Sequence, residues 1–174
     1  NGPFNLPGSM HVNRRLSQWL DFSHPGKVRV YTGKVELGQG ILSALAKMAA
    51  HELSLPLHQI EMVSATTLAG PDEAMTSGSL SIQDSGAAIR QACAQVRQLT
   101  GCDGGDYWQA LRGLDLDFEP TSLAPHRPAA VALDPAPNPR LDLPAKILGQ
   151  PRFIHDLRPA GMVHARVLRP HSPA

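Results

Sequence analysis

A glycine-containing segment between two apolar runs is the first feature of the sequence that could do chemistry. Gly38, Gln39 and Gly40 separate an alternating run at 28–31 from an Ala-rich run that begins at Ile41. Amides at a helix N-terminus attract phosphate, and glycines let the backbone approach a ligand closely. Gln39 can both donate and accept hydrogen bonds. The spacing fits an anion cradle and also fits a plain tight turn.

A second segment of similar character lies further along the chain. Thr76, Ser77, Gly78, Ser79 and Ser81 place hydroxyls and amides just before another run with helical periodicity. Such groups form anion-binding nests, and they also form ordinary N-cap loops rich in Ser and Thr. Because both segments precede a helix in one small unit, we expect them to converge on one ligand.

The other polar residues form no acid–base pair, activated nucleophile or metal-ligand spacing in the sequence. Glu36 is the carboxylate beside the glycines, and we predict a structural role for it rather than that of a general base. Asp84 and Arg90 fit solvated helix positions. Cys93 lies among apolar residues at helical spacing, which predicts a buried, reduced thiol. In an enzyme, the catalytic residues would have to come from elsewhere.

Hydrophobic periodicity predicts the elements that position the two segments. The runs 28–31 and 60–63 alternate as strands do, and 41–53 repeats its apolar residues at helical spacing. Ser81 and Asp84 fit a capping box at the start of a second helix. Four apolar residues mark the buried face of that helix: Ile82, Ile89, Cys93 and Val96. This order predicts an α+β fold, a mixed sheet with helices packed on it.

Composition divides the chain into three regions. Residues 1–100 hold the predicted elements, whereas 101–145 are rich in Gly and Pro and predict an extended linker, interrupted by one short helix. Residues 146–174 predict a hairpin or two strands, at 152–155 and 162–167. Because about 30 residues cannot bury a core, we expect that sheet to continue in further sequence or in a partner.

Charge and hydropathy exclude several partners. The 174 residues carry a net charge of +1 and no run of Lys or Arg, so we expect neither nucleic acid nor an anionic membrane as a partner. No apolar stretch approaches the ~20 residues that a membrane-spanning helix needs. Residues 1–10 lack the features of a signal peptide. We therefore expect a cytoplasmic protein, or a periplasmic one if an export signal lies upstream.

Several stretches together carry a family resemblance: Leu6-Pro7-Gly8-Ser9, Gly33 to Ile41, Ser43 to Ala46, Pro71 to Ala74, Thr76 to Gln83 and Ser85 to Ala88. They resemble the molybdenum-cofactor-binding subunit of the xanthine dehydrogenase/aldehyde oxidase family, in the branch of isoquinoline 1-oxidoreductase and nicotinate-dehydrogenase-type enzymes. Stretches near the end resemble the start of that branch's hammerhead domain: Leu143 to Gly149, Phe153 to Leu157 and Gly161 to Val167. The resemblance spans nearly the whole chain apart from the middle linker.

The resemblance implies a cofactor and assigns contacts to it. Residues 1–100 would be a piece of the molybdopterin-binding domain, and 146–174 the start of the hammerhead domain. The cofactor would be molybdopterin, with its cytosine dinucleotide form left open, and electrons would leave through [2Fe-2S] clusters on a partner subunit. Seven residues would contact the cofactor: Gly38, Gln39, Gly40, Ser77, Gly78, Ser79 and Ser81.

Two features of the family have no counterpart in the sequence: its Phe-Gly-x-x-Phe-type pterin loop and its catalytic glutamate. We therefore expect no turnover from this chain alone. The predicted function is part of a molybdenum hydroxylase large subunit that oxidises N-heteroaromatics or aldehydes. Its partners would be the rest of that subunit and a small iron–sulfur subunit, with the oligomeric state open. The alternative is a truncated, non-catalytic module that serves interaction or assembly.

Overall fold

Alternating apolar residues build a three-stranded mixed sheet. β1 (Leu20–His24) pairs antiparallel with β2 (Lys27–Thr32), and β2 pairs parallel with β3 (Ile60–Ser64). The parallel register places Thr32 opposite Ser64. The two predicted strands and the α+β class are confirmed. β1 was not predicted, although its residues alternate in polarity.

The computed structural model describes residues 4–128, 140–151, 153–169 and 171. The chain divides into two units, Asn1–Leu141 and Asp142–Ala174. The sheet and the candidate site lie in the first unit.

Helices follow the strands in the predicted order. α1 (Ile41–Leu53) leads from β2 to β3, because parallel strands need a crossover connection. A π-helical turn (Ile82–Gly86) runs into α2 (Ala87–Thr100), and α3 (Tyr107–Ala110) is the short helix expected in the middle region. Within the described ranges, no helix is long and apolar enough to cross a membrane.

The start of the second helix differs from the prediction in two ways. Ser81 forms no capping hydrogen bond, so the predicted capping box is wrong; instead the amide of Asp84 donates to the carbonyl of Leu80 at 2.7 Å. Ile82 is exposed, whereas Ile89 is fully buried. A π-helical turn contains more residues than an α-helical turn. Ile82 therefore falls out of phase with the buried face of α2.

One apolar core holds the first unit together. The indole N–H of Trp19 donates to the carbonyl of Asn13, and the hydroxyl of Tyr107 donates to that of Leu53. Burial raises the pKa of Tyr107 to about 12. Cys93 is buried and free, as predicted. The largest fully buried apolar side chains are those of Met10, Leu16, Trp19, Leu20, Val28, Val30, Leu45, Leu53, Ile89 and Tyr107.

Part of the middle region runs over the first unit in the extended form that was predicted. Ser17 donates its amide to the carbonyl of Leu116, and the side chain of Gln95 donates to the carbonyl of Ser122. The backbone of this region thus finds hydrogen-bond partners without forming strands. Residues 129–139, in the remainder of the predicted linker, lie outside the described residues.

A buried carboxylate fastens this extended segment to both helices. Glu52 on α1 is fully buried and pairs with Arg90 at 3.3 Å and with Arg97 at 2.9 Å, both on α2. It also accepts the backbone amide of Arg127 at 2.9 Å. The prediction that Arg90 is a solvated position is therefore wrong. Its charge compensates that of Glu52, which could not be buried alone at a tolerable cost.

The second unit contains one short helix, α4 (Leu143–Ile147), and a 3₁₀ turn at Ile154–Asp156. Its described residues, 142–151, 153–169 and 171, form no strand, so the predicted strands at 153–155 and 162–167 are wrong for this chain; Arg152 lies outside the described residues. The physical reason is that no strand or core among the residues the structure describes covers them: Ile154, Val163 and Val167 are exposed.

Candidate functional site

The loop between β2 and α1, residues 36–40, is closed by its own side chains. The carboxylate of Glu36 accepts the amides of Gly38 at 2.9 Å and Gly40 at 2.8 Å, and that of Leu42 at 3.4 Å. The amide group of Gln39 bonds the backbone of residues 35 and 37. The amides of Gly38, Gly40 and Leu42 at this helix N-terminus are therefore occupied, because Glu36 already supplies a carboxylate as their acceptor.

An arginine near the C-terminal end of the middle region also contacts this loop. Arg140 donates to the carbonyl of Gly38 at 2.6 Å and lies 3.4 Å from the carboxylate of Glu36. The amide of Leu141 donates to the hydroxyl of Ser43 on α1 at 2.9 Å. Glu36 thus has the structural role that was predicted for it. It caps α1 and pairs with Arg140.

The glycines of this loop serve backbone conformation rather than close approach. Gly38 and Gly40 have φ values of 106° and 78°, in the left-handed region that side chains disfavour. A Cβ on Gly38 would meet no atom within 4 Å. The two residues therefore turn the chain into α1, and Gly38 leaves open space beside its backbone.

The loop before α2, residues 76–81, has the opposite character. The amides of Ser77, Gly78 and Ser79, and the hydroxyls of Ser77, Ser79 and Ser81, make no hydrogen bond to any residue that the structure describes. Ser77, Gly78 and Ser79 are exposed, and Ser81 is half-buried. Residues 77–79 of this loop therefore offer donors that find no acceptor among the residues the structure describes.

Direct hydrogen bonds join the two loops. The amide of Val35 donates to the hydroxyl of Thr76 at 2.9 Å, and the ammonium group of Lys34 donates to the carbonyl of Met75 at 3.4 Å. The segments that lead into the two loops therefore run side by side at residues 34–35 and 75–76. Whether all seven predicted residues contact one ligand stays a prediction.

Two buried charged residues beneath the loops were not predicted. Lys34 and Glu73 are 4% and 8% exposed. The carboxylate of Glu73 accepts the amide of Gly33 at 2.8 Å and the hydroxyls of Thr32 and Ser85, each at 3.0 Å. A Lys and a Glu in loop sequence normally indicate solvent-exposed positions. Their burial follows from tertiary contacts, which composition and periodicity do not reveal.

Other candidate sites lie apart from the predicted residues. A cleft of about 860 Å³ is lined by residues 5–9, 11–13, 72–74, 84 and 123, none of which is a predicted cofactor contact. Within the described ranges, no group of three or more His, Cys, Asp or Glu side chains could hold a metal ion. A metal that is carried by a cofactor would need no such group of side chains.

Comparison with known proteins supports a cofactor of that kind. Residues 6–102 match a family model described as "Molybdopterin cofactor-binding domain". This range includes both loops, the sheet and α1 and α2, and it is more than half of the chain.

Individual relatives agree with the family match. A nicotinate dehydrogenase subunit of Pseudomonas putida is 31% identical over 90% of this chain, which spans 15% of that protein. Aldehyde oxidase 3 of Rattus norvegicus is 37% identical over 39% of the chain, and xanthine dehydrogenase of Blastobotrys adeninivorans 31% identical over 43%. The chain spans 5% of each of these two proteins.

Proposed function

This chain belongs to the xanthine dehydrogenase/aldehyde oxidase family of molybdopterin-binding proteins, and from that premise we propose that it supplies one wall of a molybdenum-cofactor site. The observation that carries the proposal is the exposed set of unused donors at Ser77, Gly78 and Ser79 inside the matched domain. An anionic pterin phosphate is the acceptor that such donors lack.

Ser77, Gly78 and Ser79 fit the cofactor as they stand. Their amides and the two hydroxyls donate to phosphate or pterin oxygens, and hydrogen bonds to a charged acceptor are the stronger kind. The hydroxyl of Ser81 lies at the start of the helix and adds one donor. When bound, the cofactor supplies the oxidation chemistry, and the protein residues orient it.

Gly38, Gln39 and Gly40 fit the cofactor only in part. The amides of Gly38 and Gly40 become available to an exogenous anion when the carboxylate of Glu36 moves away from them. While Glu36 accepts these amides, the three residues only line the site next to the Thr76–Ser81 loop. Arg140 stabilises this arrangement through the carbonyl of Gly38 and the carboxylate of Glu36. We therefore assign the direct donor role to the Thr76–Ser81 loop.

The rest of the site comes from partners in this proposal. The bacterial relative is by name one subunit of a dehydrogenase, and the chain spans a small part of it. We propose that the remainder of a large subunit and a small [2Fe-2S] subunit complete a cytoplasmic molybdenum hydroxylase. The names of the relatives support N-heteroaromatic compounds or aldehydes as the class of substrate.

Metal analysis of the chain purified with its co-purifying subunits tests this function. We expect molybdenum in the complete complex, and a decrease of more than about tenfold in the double variant Ser77→Ala, Ser79→Ala, because the loss of two hydrogen bonds to a charged group weakens binding by ~3 kcal/mol or more. The control is Ser122→Ala, an exposed serine in the middle region. A complete complex without molybdenum would contradict the proposal and favour the non-catalytic module.

A further inference from the structure

The segment 74–79, which contains the unused donors, has three residues in the left-handed backbone region. Ala74, Gly78 and Ser79 have φ values of 52°, 65° and 58°. Only Gly78 adopts that region without a steric penalty. Ala74 and Ser79 keep such a conformation only where surrounding contacts enforce it. Ala74 is exposed, so packing of its own side chain does not supply those contacts.

One such contact is the carboxylate of Asp72, which accepts the amide of Ala74 at 3.0 Å, and Lys34 supplies two more from beneath the loop. Its ammonium group donates to the carbonyl of Glu73 at 2.9 Å and to the carbonyl of Met75 at 3.4 Å. These two carbonyls belong to the residues on either side of Ala74. One buried cation therefore holds both flanks of the left-handed residue, and the turn brings both carbonyls to the same donor.

Further hydrogen bonds hold Lys34 and Glu73 themselves in place. The amide of Lys34 donates to the hydroxyl of Thr32, and its carbonyl accepts the hydroxyl of Ser64, so the lysine is anchored at the ends of β2 and β3. The Glu73 carboxylate accepts donors from residues 32, 33 and 85. The turn at Ala74 is thus fastened to the sheet and to the beginning of the second helix.

The position of these contacts along the chain points to a function for them. Thr76 is the last residue of the loop that hydrogen-bonds to the β2 side, through the amide of Val35. The unused donors begin at the next residue, Ser77. The donors thus follow directly after two fixed points, the turn at Ala74 and the hydrogen bond of Thr76.

We propose that Lys34 is a positioning residue: it holds Ala74 in the left-handed conformation and thereby orients the donors of Ser77, Gly78 and Ser79. The assignment of a cofactor to those donors rests on the function proposed above. The role of Lys34 in the shape of the loop does not depend on it. Lys34 touches no ligand in this proposal and acts through the backbone of residues 73–75.

A rescue experiment separates this role from general support of the fold. Lys34→Met keeps the length of the side chain and removes its donors, and we expect the amide resonances of Ser77, Gly78 and Ser79 to shift. The double variant Lys34→Met, Ala74→Gly should recover the wild-type resonances of residues 77–79, because glycine adopts the left-handed region without support. Lost core packing would not be restored by that glycine.

Two further variants keep the test decisive. Ala74→Val, with Lys34 intact, should disturb the same amides, since a β-branched residue disfavours positive φ most strongly; it covers the case in which Lys34→Met does not fold. Lys27→Met is the matched control, because Lys27 also donates to a backbone carbonyl, that of His58, but lies away from the loop. It should leave residues 77–79 unchanged.

The molybdenum content of the complete complex is the second readout. We expect it to fall about tenfold in Lys34→Met and to return in the double variant with Ala74→Gly. Unchanged amides at residues 77–79 in Lys34→Met, or a double variant that stays as disturbed as the single one, would overturn the positioning role. Amide changes as expected in a complex that contains no molybdenum even as wild type would overturn the proposed function and leave the positioning role standing.

Discussion

The loop that leads into α1 and the loop that leads into the second helix have similar sequences and opposite states. In the first, Glu36 accepts the amides of Gly38 and Gly40, and Arg140 lies beside the carboxylate. In the second, the amides of residues 77–79 have no partner in the part of the chain that the structure describes. Both loops turn through left-handed residues, so backbone shape does not explain the difference.

This contrast indicates that the amides of a glycine-rich loop before a helix are available to an external anion only if no nearby carboxylate side chain already accepts them. Glu36 lies two residues before Gly38 and four before Gly40, a spacing that lets its carboxylate fold back onto their amides. The nearest carboxylates before Ser77, Asp72 and Glu73, are bound elsewhere. Asp72 accepts the amide of Ala74, and Glu73 is committed to the buried contacts beneath the loop.

The largest expected effect comes from the residue at the base of both loops. A Cβ on Gly33 would lie 2.8 Å from the Cβ of Glu73 and 3.0 Å from the carbonyl oxygen of Pro71. We expect Gly33→Ala to lower the free energy of unfolding by about 2–3 kcal/mol, measured by urea denaturation, because the loops must separate. Gly105→Ala, where a Cβ would meet nothing within 4 Å, should change it by less than about 0.5 kcal/mol. Equal effects would show that the loops do not press together.

A substitution of intermediate effect should free the amides of the first loop, so that it resembles the second loop. Glu36→Ala removes the acceptor of three amides at the start of α1, and we expect the free energy of unfolding to fall by about 1 kcal/mol. Hydrogen exchange of Gly38 and Gly40 should accelerate at the same time. Glu61→Ala is the control, because its ion pair with Arg29 at 3.5 Å is partly exposed and should contribute less than about 0.5 kcal/mol. Unchanged exchange at Gly38 and Gly40 would contradict the capping role of Glu36.

The smallest expected effect concerns the strain in the second loop. Ser79 has a φ of 58°, so we expect Ser79→Gly to raise the free energy of unfolding by about 0.5 kcal/mol. Ser77 has no positive φ, and Ser77→Gly should instead lower it by a similar amount, about 0.5 kcal/mol, through the entropy of the unfolded chain. Thermal unfolding of the two variants distinguishes them by sign. A loss of stability in Ser79→Gly would mean that the loop relaxes in solution.

Elements set by local periodicity were predictable from the sequence, and elements set by distant contacts were not. β2, α1, β3 and α2 follow from alternating or helical spacing of apolar residues, which burial on one face imposes. The same rule placed strands at 152–155 and 162–167, where exposed apolar residues such as Ile154 and Val163 find no neighbouring strand in the described chain. Periodicity reports that a face could be buried. It does not report what covers it.

The same distinction between local pattern and distant contacts applies to the candidate site. Both loops were identified from residue types just before a helix, and the predicted structural role of Glu36 is local as well. The functions of Lys34 and Glu73 depend on contacts about 40 residues apart in sequence, as does the hydrogen bond between Val35 and Thr76. Such pairs leave no local signal, because each residue alone has the character of a solvated loop position.

A titration of the isotope-labelled chain with inorganic pyrophosphate, followed by amide chemical shifts, tests most directly which loop offers its donors to an anion. We expect the amides of Ser77, Gly78 and Ser79 to shift while those of Gly38 and Gly40 stay in place, because Glu36 occupies the latter. Shifts at Gly38 and Gly40, with residues 77–79 unmoved, would contradict the assignment of the donor role to the Thr76–Ser81 loop.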